Sequence, residues 1–146
     1  MKKILTMLLC FLCMTGCKAE NNSNIDIQKL NEELSHKIVF EDELTLYEGN
    51  IKNLYGIDFA KSSIVYVGSG ATAEEFALLE FENTEETEKA YNLLNEYIEQ
   101  RKESYQTYNP EEAKRLEQAI LKKKDKIVLL CVSNDENALK IINEYL

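Results

Sequence analysis

The residues of this chain with the most chemical promise lie in the loop-like run Gly68-Ser-Gly-Ala-Thr-Ala-Glu-Glu75. A glycine-rich turn can present backbone N–H groups to an anion. This one has no Walker lysine, and it leads towards a strand rather than a phosphate-facing helix. Thr72 followed by Glu75 also matches the spacing of a helix capping box. The run therefore reads first as a structural turn and second as a loop that contacts a ligand or partner through Gly68, Gly70, Thr72 and Glu75. Tyr91, Tyr97, Tyr105 and Tyr108 add a second candidate face, because tyrosine couples apolar area to a polar tip. Packing into the core competes with that reading. Tyr105 and Tyr108, near the end of a long helical pattern, are the two expected to line a binding face.

Other chemistries have less to stand on. His36 is the single histidine, and Glu32 and Glu33 precede it at helical spacing, which fits a solvated helix surface. One histidine and one unmodified cysteine cannot make a zinc site, and no calcium-loop motif occurs. The sequence gives no reason to expect a metal or other cofactor, and no catalytic residue is assigned. Carboxylates are abundant, so an envelope-acting hydrolase with a carboxylate pair is the alternative to a non-enzymatic role. Lys122-Lys-Lys-Asp-Lys126 is a basic cluster that reads as a solvated turn, with lipid headgroups as a second choice.

The first seventeen residues read as an address. Lys2 and Lys3 precede an apolar run from Ile4 to Cys13 that is too short to span a hydrocarbon core about 30 Å thick, as in a signal peptide. Met14-Thr15-Gly16-Cys17 resembles the bacterial lipobox, with Met14 in place of the usual leucine. On that resemblance residues 1–16 are a lipoprotein signal peptide, and Cys17 is acylated and holds the protein on the outer face of the cell membrane. Two or three acyl chains suffice for stable retention, where one alone is marginal. Cleavage removes two lysines and takes the net charge from -9 to -11. A body so acidic is repelled by nucleic acid and by anionic lipid, so nucleic acid is not an expected partner. Cys10 and Cys13 leave with the signal, so Cys131 remains without a disulfide partner and reads as a small buried apolar residue.

Residues 17–24 form a polar tether and residues 25–146 one domain. Ile27, Leu30, Leu34 and Ile38 predict a helix over 26–38, with Asn24 or Asp26 as N-cap. A short helix over 50–55 is stopped by Gly56. Ser63–Gly68 and Phe76–Phe81 read as strands of a hairpin. Asn83 and Glu86 open a long helix whose face includes Ala90, Leu94, Tyr97, Ile98, Arg101, Tyr105 and Tyr108. Asn109-Pro-Glu-Glu112 starts a further helix to about Leu116. Glu117–Lys122 and Lys126–Ser133 read as a second hairpin, and Asp135–Tyr145 as the last helix. Two hairpins, each followed by a helix, predict an α+β fold: an antiparallel sheet of about four strands covered by helices as a two-layer sandwich.

Tyr55-Gly-Ile-Asp58, Gly70-Ala-Thr-Ala-Glu-Glu-Phe-Ala77, Arg101-Lys-Glu-Ser-Tyr-Gln-Thr-Tyr-Asn-Pro-Glu-Glu112 and Lys126-Ile-Val-Leu-Leu-Cys-Val-Ser-Asn-Asp135, together with the lipobox, resemble a family of Firmicutes lipoproteins built on a domain of unknown function. The resemblance spans about residues 40–146. It implies a small α+β domain at the cell envelope and transfers no catalytic residue. The expected role is a membrane-anchored binding or assembly module, whose partner is an envelope protein or a small ligand.

Overall fold

The computed structural model describes residues 26–146. The signal peptide expected at 1–16, Cys17 and the tether over 17–24 lie outside the described residues. Helix α1 spans Ile27–Ser35, and Asp26 caps it, accepting from the N–H of Gln28 at 2.9 Å. Strand β1 is Thr45–Leu46 and helix α2 is Ile51–Tyr55. At α2 the expected signals act as read: the Asn50 side chain accepts from Lys52 N–H, and Gly56 closes the helix at a φ of 72°, a conformation that costs a residue with a Cβ.

Strands β2 (Ser62–Val67) and β3 (Glu75–Glu80) form the first hairpin. Helix α3 runs from Thr84 to Tyr108 with Asn83 accepting from Glu86 N–H. The Glu86 carboxylate reaches back to the N–H of Glu82, one residue ahead of the cap. Helix α4 (Pro110–Glu117) has proline at its first turn, while the Asn109 side chain makes no capping bond. Strands β4 (Ile120–Lys124) and β5 (Ile127–Val132) form the second hairpin, turned at Asp125 with a φ of 52°. Helix α5 is Ala138–Asn143.

All pairings are antiparallel, in the order β1-β2-β3-β5-β4. The α+β class and both hairpins are as expected. The fifth strand, β1, is two exposed residues, too short to show any period.

The layering differs from the expected two-layer sandwich, because helices lie on both sides of the sheet. On one face Val65, Ala77, Leu79, Val128 and Leu130 pack with Tyr55, Ala90, Leu94, Ile98 and Leu116, which come from α2, α3 and α4. On the other face Ile64, Phe76, Leu78, Leu129 and Cys131 pack with Leu30 and Leu34 of α1 and with Ala138 and Ile142 of α5. Buried on both faces, β5 has no polar position to alternate with its apolar ones, hence its unbroken run Ile-Val-Leu-Leu-Cys-Val. No helix among the described residues is long and apolar enough to cross a membrane.

Candidate functional site

The β2–β3 loop depends on two glycines. Gly70 has a φ of 89°, and a Cβ on Gly68 would lie 2.7 Å from Asp42 Oδ2. The contact at Gly68 explains the turn. Asp42 Oδ2 accepts from the backbone N–H of Ser69 at 2.8 Å, from the Ser69 hydroxyl at 2.8 Å and from the Thr72 hydroxyl at 3.2 Å. The Ser69 hydroxyl and N–H hold the Asp42 carboxyl below its ordinary range. The glycine-rich turn does cradle an anion, and the anion is the chain's own Asp42. That overturns Thr72 and Glu75 as a capping box: no helix follows, and Glu75 begins β3.

Below the loop lies an ionic cluster built from three separate segments. The Arg115 guanidinium, with its side chain 6% exposed, stands 2.5 Å from Glu41 Oε2, 3.5 Å from Glu74 Oε1 and 3.4 Å from Glu112 Oε2. Glu112 Oε2 also accepts from the N–H of Ala73 at 2.6 Å, and Glu74 Oε2 from the N–H of Asp42 at 2.7 Å. Three carboxylates around one guanidinium thus tie the loop to α4 and to the segment that precedes β1.

Glu75 was expected on the surface of the loop and is a buried hub instead. Its side chain is 2% exposed. Oε1 accepts from the Tyr55 hydroxyl, while Oε2 accepts from the Tyr97 hydroxyl at 2.9 Å and from Arg101 at 2.5 Å. Burial raises the Glu75 carboxyl above its ordinary value, opposed by the Arg101 charge and the two phenols. Burial and then the Glu75 charge push the Tyr55 and Tyr97 hydroxyls far upward, so both remain hydrogen-bond donors.

The two faces expected to bind come together in space. The Tyr105 hydroxyl donates to the carbonyl of Thr72 at 3.1 Å. Tyr108 lies against Tyr105 with ring centroids 5.0 Å apart and is 68% exposed. The Arg101 guanidinium sits over the rings of Tyr97 and Tyr105, at 5.4 and 5.7 Å, within cation–π reach. The exposed tip Ser69-Gly70-Ala71 and the exposed Tyr108 are therefore carried on one buried, cross-braced base.

The remaining candidates have quieter roles. His36 is exposed at the end of α1. Tyr91 is half-buried beneath Lys123, which also pairs with Glu88. Lys122, Lys123 and Lys124 lie in β4, an edge strand that their charges protect from further pairing. Cys131 is buried in β5, its thiol pushed up to about 12 by burial.

Sequence reasoning missed Asp42, Glu74, Glu112 and Arg115. Arg101 and Tyr97 were visible as one helical stripe with Tyr105, at four-residue intervals, but nothing local indicated that a buried carboxylate meets them.

A search of curated proteins and one of solved structures find no match to the chain. A family model described as a domain of unknown function (DUF4358) matches residues 37–133. That segment holds all five strands and α2, α3 and α4, together with the loop, the Arg115 cluster and the Glu75 hub. Helices α1 and α5, which both cover the second face, flank it. With two thirds of its length matched in this way, the chain belongs to the DUF4358 family.

Proposed function

We propose that this protein is a membrane-anchored extracytoplasmic lipoprotein, acylated on Cys17, that acts as a non-enzymatic binding or assembly module at the cell envelope. The lipobox-like Met14-Thr-Gly-Cys17 after a short apolar run supports the anchor. The observation that carries the binding role is Tyr108, an exposed ring packed at a tilt against Tyr105, which is itself hydrogen-bonded to the loop at Thr72. A large exposed aromatic braced by a buried ring, on the same base as an exposed small-residue tip, offers apolar area with a polar tip and suits a protein partner. The hydrolase alternative draws no support from the carboxylates gathered at Arg115, because the Glu74 and Glu112 side chains are 0% and 8% exposed and leave no face for a substrate.

The test is affinity capture of the tagged protein from native membranes after mild crosslinking, with Cys17→Ala, Tyr108→Ala and Ala71→Glu as variants. A stoichiometric protein captured by the wild type and lost with Tyr108→Ala and Ala71→Glu, while melting temperatures hold, is the expected result. Capture indifferent to both surface variants overturns the binding face. Retention of Cys17→Ala on membranes, or failure of the wild type to incorporate labelled palmitate, overturns the anchor.

A further inference from the structure

A recessed site lies on the face of the sheet opposite the one that Tyr105 packs against. A cavity of about 330 Å³ opens between the end of α1 and the segment before β1, lined by His36, Phe40, Asp42, Leu44, Tyr66 and Phe76. Its size suits a small organic molecule. Three of the lining residues are aromatic and form a connected wall. Tyr66 and Phe76 are cross-strand partners in β2 and β3, with ring centroids 6.5 Å apart. Phe40 meets Phe76 edge-on at 6.5 Å and 67°. Tyr66 is fixed in place by Asn31, which donates to its hydroxyl at 3.2 Å.

The charge of this site has one sign. Asp42 lines it, with its carboxyl held in the ionised form by Ser69 and Thr72. Glu74 accepts from the backbone of Asp42, and Glu41 and Glu43 flank it in sequence. Arg115 is the cation near this group, and it is taken up by Glu41, Glu74 and Glu112. Among the described residues, no lysine or arginine lines the cavity. Aromatic rings beside a single carboxylate are the groups that bind an organic ammonium ion, through the ring quadrupoles and one opposite charge.

We propose that this cavity is a binding site for a small organic cation of the alkylammonium class, with the partly exposed Phe40 and Tyr66 against the alkyl groups, the buried Phe76 backing them, and Asp42 as counter-ion. The site shares Asp42 with the loop of the protein-binding face, but its aromatic wall lies apart from that face, and the proposal stands whether or not that face captures a partner.

Calorimetric titration of the full chain in detergent, with choline and with its uncharged isostere 3,3-dimethylbutanol as probes, tests the proposal. Choline is expected to bind saturably, at least about tenfold more tightly than the isostere. Phe40→Leu, which keeps the apolar bulk and removes the ring, is expected to weaken choline by about threefold or more and leave the isostere unchanged. Asp42→Asn is expected to weaken choline further. Because Asp42 also holds the loop, Phe40→Leu decides the matter if Asp42→Asn unfolds. Equal affinity for the two probes would make this an apolar pocket and overturn the proposal. So would the absence of saturable choline binding, or choline affinity unmoved by Phe40→Leu.

Discussion

Tyr105 donates its hydroxyl to the carbonyl of Thr72 at 3.1 Å, and through that bond the C-terminal end of a 25-residue helix holds the turn between two strands. Tyr105 is 6% exposed, so the bond is partly shielded from water and its loss is felt at the loop. Tyr105→Phe keeps the ring and removes the donor. It is expected to lower stability by about 1 kcal/mol and to speed amide exchange in Ser69–Ala73 more than in β3 or β5. Exchange rates raised uniformly across the domain would show that Tyr105 acts on the whole fold and not on the loop.

Arg115 is the most consequential single charge in the described structure. Removing it leaves Glu74 and Glu112 buried without their shared cation, and a carboxylate in that position cannot recover its hydration. Arg115→Met is expected to cost roughly 3–5 kcal/mol in urea unfolding. Glu41→Gln, at the 59% exposed end of the same cluster, should cost far less because water screens that arm. Similar losses for the two variants would contradict the assignment of buried and exposed arms.

Glu75 links stability to pH. Burial raises its carboxyl above the ordinary value of 4.5, so the folded state binds this proton more tightly than the unfolded chain does. The resulting stabilisation is complete below the unfolded value and is lost as pH rises through the raised folded value. The melting temperature of the wild type relative to Glu75→Gln should therefore be higher at about pH 4 than at about pH 7. A difference that grows with pH would mean that attraction to Arg101 outweighs burial.

Cys131 is expected to be chemically silent. Its thiol, buried in β5 and pushed up to about 12, is almost wholly protonated at neutral pH, and the thiolate is the reactive species. Peptide mapping after alkylation should find Cys131 unlabelled in the folded protein and labelled in denaturant. Rapid labelling without denaturant would place β5 among locally opening segments.

Core packing gives a further check on the long helix. Leu94 is 0% exposed and packs among Leu79, Leu130 and Leu116 within one cluster. Leu94→Ala is expected to cost about 2–5 kcal/mol through lost burial and the cavity it leaves. Leu93→Ala, on the half-buried shoulder of the same helix, should cost less.

Features set by neighbours in the chain were legible without a structure. Asn50 with Gly56, Asn83 with Glu86, and Pro110 marked helix ends because capping is a matter of residues two to four positions apart. The alternation of strand runs with turns foretold both hairpins and the α+β class. The placement of Tyr97, Arg101 and Tyr105 on one stripe followed from the helical repeat alone. The second helical layer did not, since an apolar run such as Ile127–Val132 fits a strand buried on one face or on two, and only the docking of α1 and α5 against Leu129 and Cys131 distinguishes these. The site depended on the tertiary structure most of all. Gly68–Glu75 was visible as a turn, but Asp42 fills it from 27 residues away in sequence, and Glu75 is drawn from the loop surface into a pocket of two tyrosines and an arginine. Local sequence specifies which groups a segment offers; which charge reaches a given donor is decided by chain packing, because a buried carboxylate persists only where distant residues converge to satisfy it.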